Sequence, residues 1–207
     1  MIKVLVACEF SGIVREAFRK RGFDAWSCDV LPAEDDSPYH YQCDVRDIMD
    51  NRWDLMIAHP PCTFFANSGV RWLFQDSKYM TKDLRWDYLK EAANFFKELL
   101  NAPIPYIAVE NPIPHKHAIE LIGRKYDQLI QPWQFGEPYS KATCFWLKDL
   151  PPLKPTKIIP KDRVKQQVWK EPPSKERWKK RSRTYPGIAD AMAEQWGSYI
   201  SRRIKKQ

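Results

Sequence analysis

Short apolar runs, each closing on a residue able to do chemistry, are the feature that most restricts how this chain can fold. IKVLVAC (2–8), DAWSCDV (24–30), YHYQCDV (39–45), WDLMIAH (53–59) and YIAVENP (106–112) all have the length of a strand. Several are separated by stretches of helical spacing. IVREAFRKRGF groups Ile13, Ala17 and Phe18 and stops at Gly22, and residues 81–100 place Leu84, Tyr88, Ala92, Phe95 and Leu99 on one face. Strands alternating with helices predict an α/β fold on a parallel sheet. Ligands of such sheets lie outside the carboxyl ends of the strands. Phe10, Asp29, Asp44, Cys62 and Glu110 are all expected just after strand ends, so the pattern predicts one site along one edge.

Beyond residue 111 the pattern weakens. QPWQFGEPYSKATCFWL (131–147) reads as a turn and a further strand, residues 151–183 as an extended Pro- and Lys-rich loop, and PGIADAMAEQWGSYISRRI, with Pro186 near its start, as a last helix. The expected organisation is a catalytic domain over 1–150, a basic loop or reduced recognition region over 151–183, and a C-terminal helix over 184–207 packing back on the catalytic domain. No apolar run approaches the roughly 18 residues of a membrane span. The opening MIKVLVACEF reads as a first strand rather than a signal peptide.

Charge is unevenly spread. The chain of 207 residues carries a net +8. Residues 1–150 hold 18 Lys and Arg against 21 Asp and Glu, whereas residues 151–207 hold 16 against 5. A basic excess confined to the tail suggests a polyanion, most simply nucleic acid; a solubilising surface is the plainer alternative. Lys179, Lys180, Arg181 and Arg183, with Trp169 and Trp178 interleaved, suit phosphate binding and base stacking.

Cysteines at 8, 28, 43, 62 and 144 make an odd set without a close pair, which reads as reduced thiols in a cytoplasm rather than a disulfide framework. Cys62 stands apart, in AHPPCTFFANSG (58–69). Pro60 and Pro61 restrict the backbone that delivers it, straight after the apolar run Leu55–Ala58. A nucleophile gains from such a mount; a buried cysteine that merely follows a strand is the alternative. Glu110 is expected to project at the same edge, where partial desolvation would raise its pKa and let it donate a proton. Asn111 could hold a loop by hydrogen bonds, although Asn-Pro is also an ordinary turn dipeptide. After the first strand, EFSG offers a tight turn in which Gly12 allows close backbone approach. Asp29 could hold ribose hydroxyls and Asp44 could accept from an adenine amino group. Taken singly these are solvated acids; in this order they describe an adenosine-bearing cofactor.

At these residues the chain resembles the cytosine-5 DNA methyltransferases, in a short form such as phages carry. Phe10-Ser11-Gly12 resembles the family's F-x-G turn, Asp29 and Asp44 its acids after strands two and three, and Pro61-Cys62 with FFANSG its catalytic turn. Glu110-Asn111 is similar to its E-N-V, with Pro112 in place of Val, and Gly136 to Phe145 resembles its later G-x-P-Q-x-R-x-R-x-F strand, with Tyr139, Lys141 and Thr143 replacing Gln and both Arg. The motifs keep the family's order over about residues 1–146. The resemblance implies a Rossmann-like, S-adenosylmethionine-dependent methyltransferase sheet with helices on both faces. It implies a cofactor site at Phe10, Ser11, Gly12, Asp29, Asp44 and Pro60, and a catalytic set of Cys62, Glu110, Asn111 and Lys141. The implied reaction adds the Cys62 thiolate to carbon 6 of a flipped cytosine in DNA, with Glu110 at ring nitrogen 3, followed by methyl transfer to carbon 5. A family-size target-recognition domain has no room in 151–183, and the family's late Asn-containing cofactor motif has no clear counterpart.

Alternatives remain open from the residues alone. The same chemistry could act on a free cytosine nucleotide or make a related base modification, or the chain could bind DNA without catalysis. A zinc deaminase would need P-C-x-x-C, and position 65 is Phe. His59, Cys62, His115 and His117 are poorly spaced for a metal, so none is expected.

Overall fold

Why the apolar runs are continuous rather than alternating becomes plain in the computed structural model, which describes residues 1–165 and 177–205. Strands β1 (Lys3–Ala7), β2 (Asp24–Asp29), β3 (His40–Gln42), β4 (Leu55–Ala58), β5 (Tyr106–Pro112), β6 (Gln128–Ile130) and β7 (Thr143–Lys148) form a seven-stranded sheet in the order β3-β2-β1-β4-β5-β7-β6. Helices cover both faces, so side chains of either parity are buried. On one face Leu5 and Ala7 pack with α2 (Lys82–Leu100) and α3 (Lys116–Ile122), through Leu89, Ala93, Phe96, Ala118 and Ile122. On the other, Val4 and Val6 pack with α1 (Ile13–Arg19) and α5 (Pro186–Ile204), through Val14, Phe18, Met192, Trp196 and Ile200. The expected Rossmann-like α/β sheet with helices on both faces is the fold observed.

Several details differ from the sequence reading. Strands β1 to β5 pair in parallel, but among the described residues β7 runs antiparallel to both β5 and β6. Between β6 and β7 lies a 3-10 turn, Pro132–Gln134, and no crossover helix, so the chain turns straight back into the slot between β5 and β6. The short elements α3 and β6 were not expected. Within 151–183 the chain is not an uninterrupted extended loop: it forms a 3-10 turn at Lys161–Arg163 and helix α4 (Arg177–Ser182).

Helix α2 starts on Thr81, whose hydroxyl accepts from Leu84 N at 3.3 Å, but it is rotated from the expected face. Leu89, Ala93, Phe96, Leu99 and Leu100 are buried, whereas Leu84 and Tyr88 are exposed. Two overlapping stripes have helical spacing, and the sheet selects the one whose Phe96 meets Phe65 and Trp146 edge-on, at ring-centroid distances of 5.5 and 4.9 Å.

Candidate active site

The turn carrying Cys62 is built by two neighbouring strands of unequal reach. β4 and β5 pair as far as Ala58 and Val109. β5 then runs on, and Glu110, Asn111 and Pro112 pair with Phe145, Cys144 and Thr143 of β7. Glu110 therefore lies inside a strand rather than after its end, one residue beyond the stretch that β4 supports. From this overhang the buried Asn111 donates through Nδ2 to Pro60 O at 3.0 Å, tying β5 to the turn before Cys62.

Glu110 meets His59, the first residue after β4. Glu110 Oε2 and His59 Nδ1 lie 3.2 Å apart, with side chains 16% and 9% exposed. Burial pushes the Glu110 carboxyl upward, but the hydrogen bond and charge of His59, and then the charge of Lys141, outweigh it and hold the pKa below the usual carboxylate value. The raised carboxyl expected from the sequence is thus corrected: burial is present, and the interactions with His59 and Lys141 overcome it. His59 was considered in the sequence merely as a poor metal ligand. Its position straight after a buried strand, three residues before Cys62, was the signal that could have found it.

Cys62 is exposed. Its thiol is pushed up, first by burial and then by the Glu110 charge, while Lys141 and Arg181 pull it down. Lys141 is lowered by burial, against the opposing pull of Glu110 and Cys62. Its Nζ donates to Arg181 O at 2.8 Å and Arg183 O at 3.1 Å. Cys62, Glu110, Asn111, Lys141 and Pro60 are thus brought to one place, with the end of α4 and the residue after it held by Lys141.

The second group of expected residues surrounds the ends of β1 and β2. Phe10 is nearly buried, and its ring lies 5.6 Å from that of Trp178 on α4. Ser11 Oγ donates to Glu9 Oε1 at 3.3 Å. Gly12 has a φ of 70°, and a side chain there would collide with the Arg15 guanidinium. The backbone needs glycine, and the inner side of the turn is filled by Arg15, which is fully buried and reaches Ser27 Oγ at 2.8 Å and the Asp35 carboxylate. Glu9, also buried, accepts from Val14 N and Arg15 N at 2.7 and 3.2 Å. Glu9 and Arg15 were not anticipated; charged residues inside an apolar pattern were the available signal.

Asp29 ends β2, accepts from Leu31 N at 2.9 Å, and is raised mainly by burial. Asp44 caps the 3-10 turn Val45–Asp47 through Arg46 N at 2.9 Å and pairs with Arg46 Nη1 at 3.1 Å, so its carboxylate is already engaged. Both acids act on the thiol of Cys8, which burial, then Asp29 and Asp44, push up to about 12. They therefore share one corner of the sheet edge.

The basic residues lie on a short helix and just after it. Lys179, Lys180 and Arg181 lie on α4 and Arg183 follows it, its Nη2 donating to Glu34 Oε1 at 2.8 Å. Trp178 is half-exposed, its ring against that of Phe10 and 5.7 Å from the Lys179 ammonium. Trp169 lies outside the described residues. His115 caps α3 and bonds Phe64 O, and His117 pairs with Glu120. Among the described residues no three His, Cys, Asp or Glu side chains converge as a metal site, and no helix is long and apolar enough to cross a membrane.

No protein-family profile and no curated protein matches the chain. Among solved structures, it is similar to a putative DNA modification methyltransferase encoded within an E. coli prophage, with 18% identity and a TM-score of 0.48 over 77% of this chain and 52% of that one. It is also similar to the Entamoeba histolytica methyltransferase EhMeth, with 14% identity and a TM-score of 0.47 over 77% of this chain and 58% of that one. The chain thus spans just over half the length of these proteins.

Proposed function

We propose that this protein transfers a methyl group from S-adenosylmethionine to carbon 5 of cytosine in DNA, through a covalent adduct on Cys62. The observation that carries the reading is the convergence at one sheet edge of an exposed thiol, a buried carboxyl, a lysine acting on both, and the Asn111 clamp on the thiol's turn.

The thiol must ionise to attack. In the free protein burial and Glu110 oppose this; Lys141 and Arg181 favour it. A flipped cytosine entering beside Lys141 meets the thiolate at carbon 6. The sulfur–carbon bond forms, ring electrons move toward carbon 5 and nitrogen 3, and a proton delivered through Glu110 neutralises nitrogen 3. Asn111 holds Pro60, and with it the angle at which Cys62 approaches. Once carbon 5 carries the methyl group, loss of its proton to a base restores the double bond, nitrogen 3 returns its proton, and the sulfur–carbon bond breaks. S-adenosylmethionine supplies an electrophilic methyl group when bound. The residues at the β1 and β2 ends fit it: Asp29 is a carboxylate suited to ribose hydroxyls and Phe10 an apolar wall, whereas Asp44 is already held by Arg46. The positive segment around α4 lies at the same edge, where it could meet the DNA backbone.

The test is incubation with methyl-labelled S-adenosylmethionine and either DNA or dCMP, followed by nucleoside analysis, with 5-fluorocytosine DNA as a covalent trap. Labelled 5-methylcytosine in DNA, and a trapped adduct lost in Cys62→Ser, are expected. Label confined to dCMP would move the substrate to the free nucleotide. DNA binding without transfer or trapping would overturn the catalytic reading.

A further inference from the structure

Glu110 cannot deliver a proton it does not hold, and His59 is placed to supply it. The two side chains meet at 3.2 Å, mostly removed from water. An ionised carboxylate can only accept, so Nδ1 of His59 carries the hydrogen that joins them. The other ring nitrogen, Nε2, is buried and has no hydrogen-bond partner among the described residues. The bond to Glu110 therefore needs a hydrogen on Nδ1, which the doubly protonated ring supplies as well as the Nδ1–H tautomer does. Leaving a buried imidazole nitrogen unpartnered costs stability, and among the described residues the side chain caps no helix and bonds no backbone group in return.

The charges around the pair are few and come from separate elements. Glu110 faces His59 from β5, with Lys141, before β7, acting on the carboxyl from the Cys62 side. Glu9, in the turn after β1, is close enough for the His59 charge to counter the burial of its carboxyl.

We infer that His59 is a positioning residue for proton delivery: its imidazole keeps the proton against Glu110 between turnovers and releases it through Glu110 when Cys62 attacks the ring. The inference rests on the roles proposed above for Cys62 and Glu110. The imidazolium loses its Nδ1 proton to the Glu110 carboxylate, and Glu110 passes a proton to nitrogen 3 of the adduct. The same path runs backwards when nitrogen 3 is released and the sulfur leaves. No further acid is required.

The experiment compares wild type with His59→Asn, whose amide can still donate to Glu110 but carries no titrating proton. Single-turnover methyl transfer is followed across pH, beside dissociation constants for DNA and S-adenosylmethionine. The transfer rate is expected to fall at least about tenfold near neutral pH, while both affinities stay within about twofold. The lower break of the pH profile, which belongs to the pair, should move. A transfer rate near wild type, or a lower rate with an unchanged pH profile, would overturn the inference. A second arm does not depend on activity: imidazole ¹⁵N chemical shifts of His59 are followed against pH in wild type and Glu110→Gln. His59 should lose its proton at lower pH in the variant, and identical titrations would also overturn the inference. If wild type neither transfers methyl nor traps 5-fluorocytosine, the proposed function fails and the catalytic role of His59 falls with it; the ¹⁵N arm still shows whether the pair holds the proton.

Discussion

Replacing Asn111 by Ala separates positioning of Cys62 from its chemistry. The side chain is 1% exposed and donates one hydrogen bond, Nδ2 to Pro60 O at 3.0 Å, while its Oδ1 is buried without a partner among the described residues. Deleting the amide removes that bond and leaves the Pro60 carbonyl unsatisfied; deleting the unpartnered Oδ1 gives a little stability back. The balance is a loss of about 1–3 kcal/mol. In a chain of this size a loss near 2 kcal/mol lowers Tm by about 4–8 °C. Catalysis should suffer more than the fold, because a turn no longer tied to β5 samples poor angles of attack; a fall of about 10²-fold in kcat/KM is expected from misplacement alone. The assays are thermal unfolding and adduct formation on 5-fluorocytosine DNA under single-turnover conditions. A lower Tm with an unchanged adduct rate would refute the argument, since the bond would then hold the sheet edge together without aiming the thiol.

Three further outcomes are expected. Alkylation of Cys62 by iodoacetamide should be slow at neutral pH and rise on the alkaline side, because its thiol is raised; Lys141→Met removes an opposing positive charge and should shift the curve to still higher pH, read by mass spectrometry of the Cys62 peptide. Asp29→Ala should weaken S-adenosylmethionine binding by about 1–3 kcal/mol if a charge-assisted hydrogen bond is lost, and calorimetry giving an unchanged affinity would remove Asp29 from the cofactor site. Replacing Lys179, Lys180, Arg181 and Arg183 by Ala together should weaken binding to all duplexes alike and flatten its salt dependence, whereas a loss confined to particular sequences would mean that these residues read bases.

The sheet was legible because β1, β4 and β5 are buried on both faces, and burial on both faces leaves an uninterrupted apolar run. The same signal led to Cys62 and Glu110 being expected at one edge before any contact was known. What periodicity could not decide was which of two overlapping stripes on α2 turns inward, since that depends on Phe65 and Trp146 meeting Phe96 from elsewhere in the chain. Short α3 and β6 leave too few residues for a period to show. Nor could composition show that Lys141 reaches the carbonyls of Arg181 and Arg183, or that Arg15 fills the turn at Gly12. The ionised state of Glu110 escaped the sequence because its cause, His59, is brought to it by the neighbouring strand β4.

The overhang of β5 sets a timetable for the newborn protein. Its inner part pairs with β4, so residues 1–109 contain what is needed to align the parallel half of the sheet. Glu110 and Asn111 have their strand partners on β7, much later in the chain. Contacts between segments distant in sequence must wait for loop closure and tend to form late. While the chain is being made, the Pro-Pro-Cys segment can therefore exist with neither its carboxyl nor its clamp in place. The strand partners of Glu110 and Asn111 arrive only when residues 143–148 close the sheet, after the bulk of the parallel core has been synthesised. Pulsed hydrogen exchange during refolding would read this order directly: the amides of Ile107, Val109 and Asn111, on the β7 side of the strand, should gain protection together with those of 143–148, later than that of Ala108, on the β4 side. Simultaneous protection of 107–111 ahead of β7 would show that the edge is organised from the parallel core outward instead.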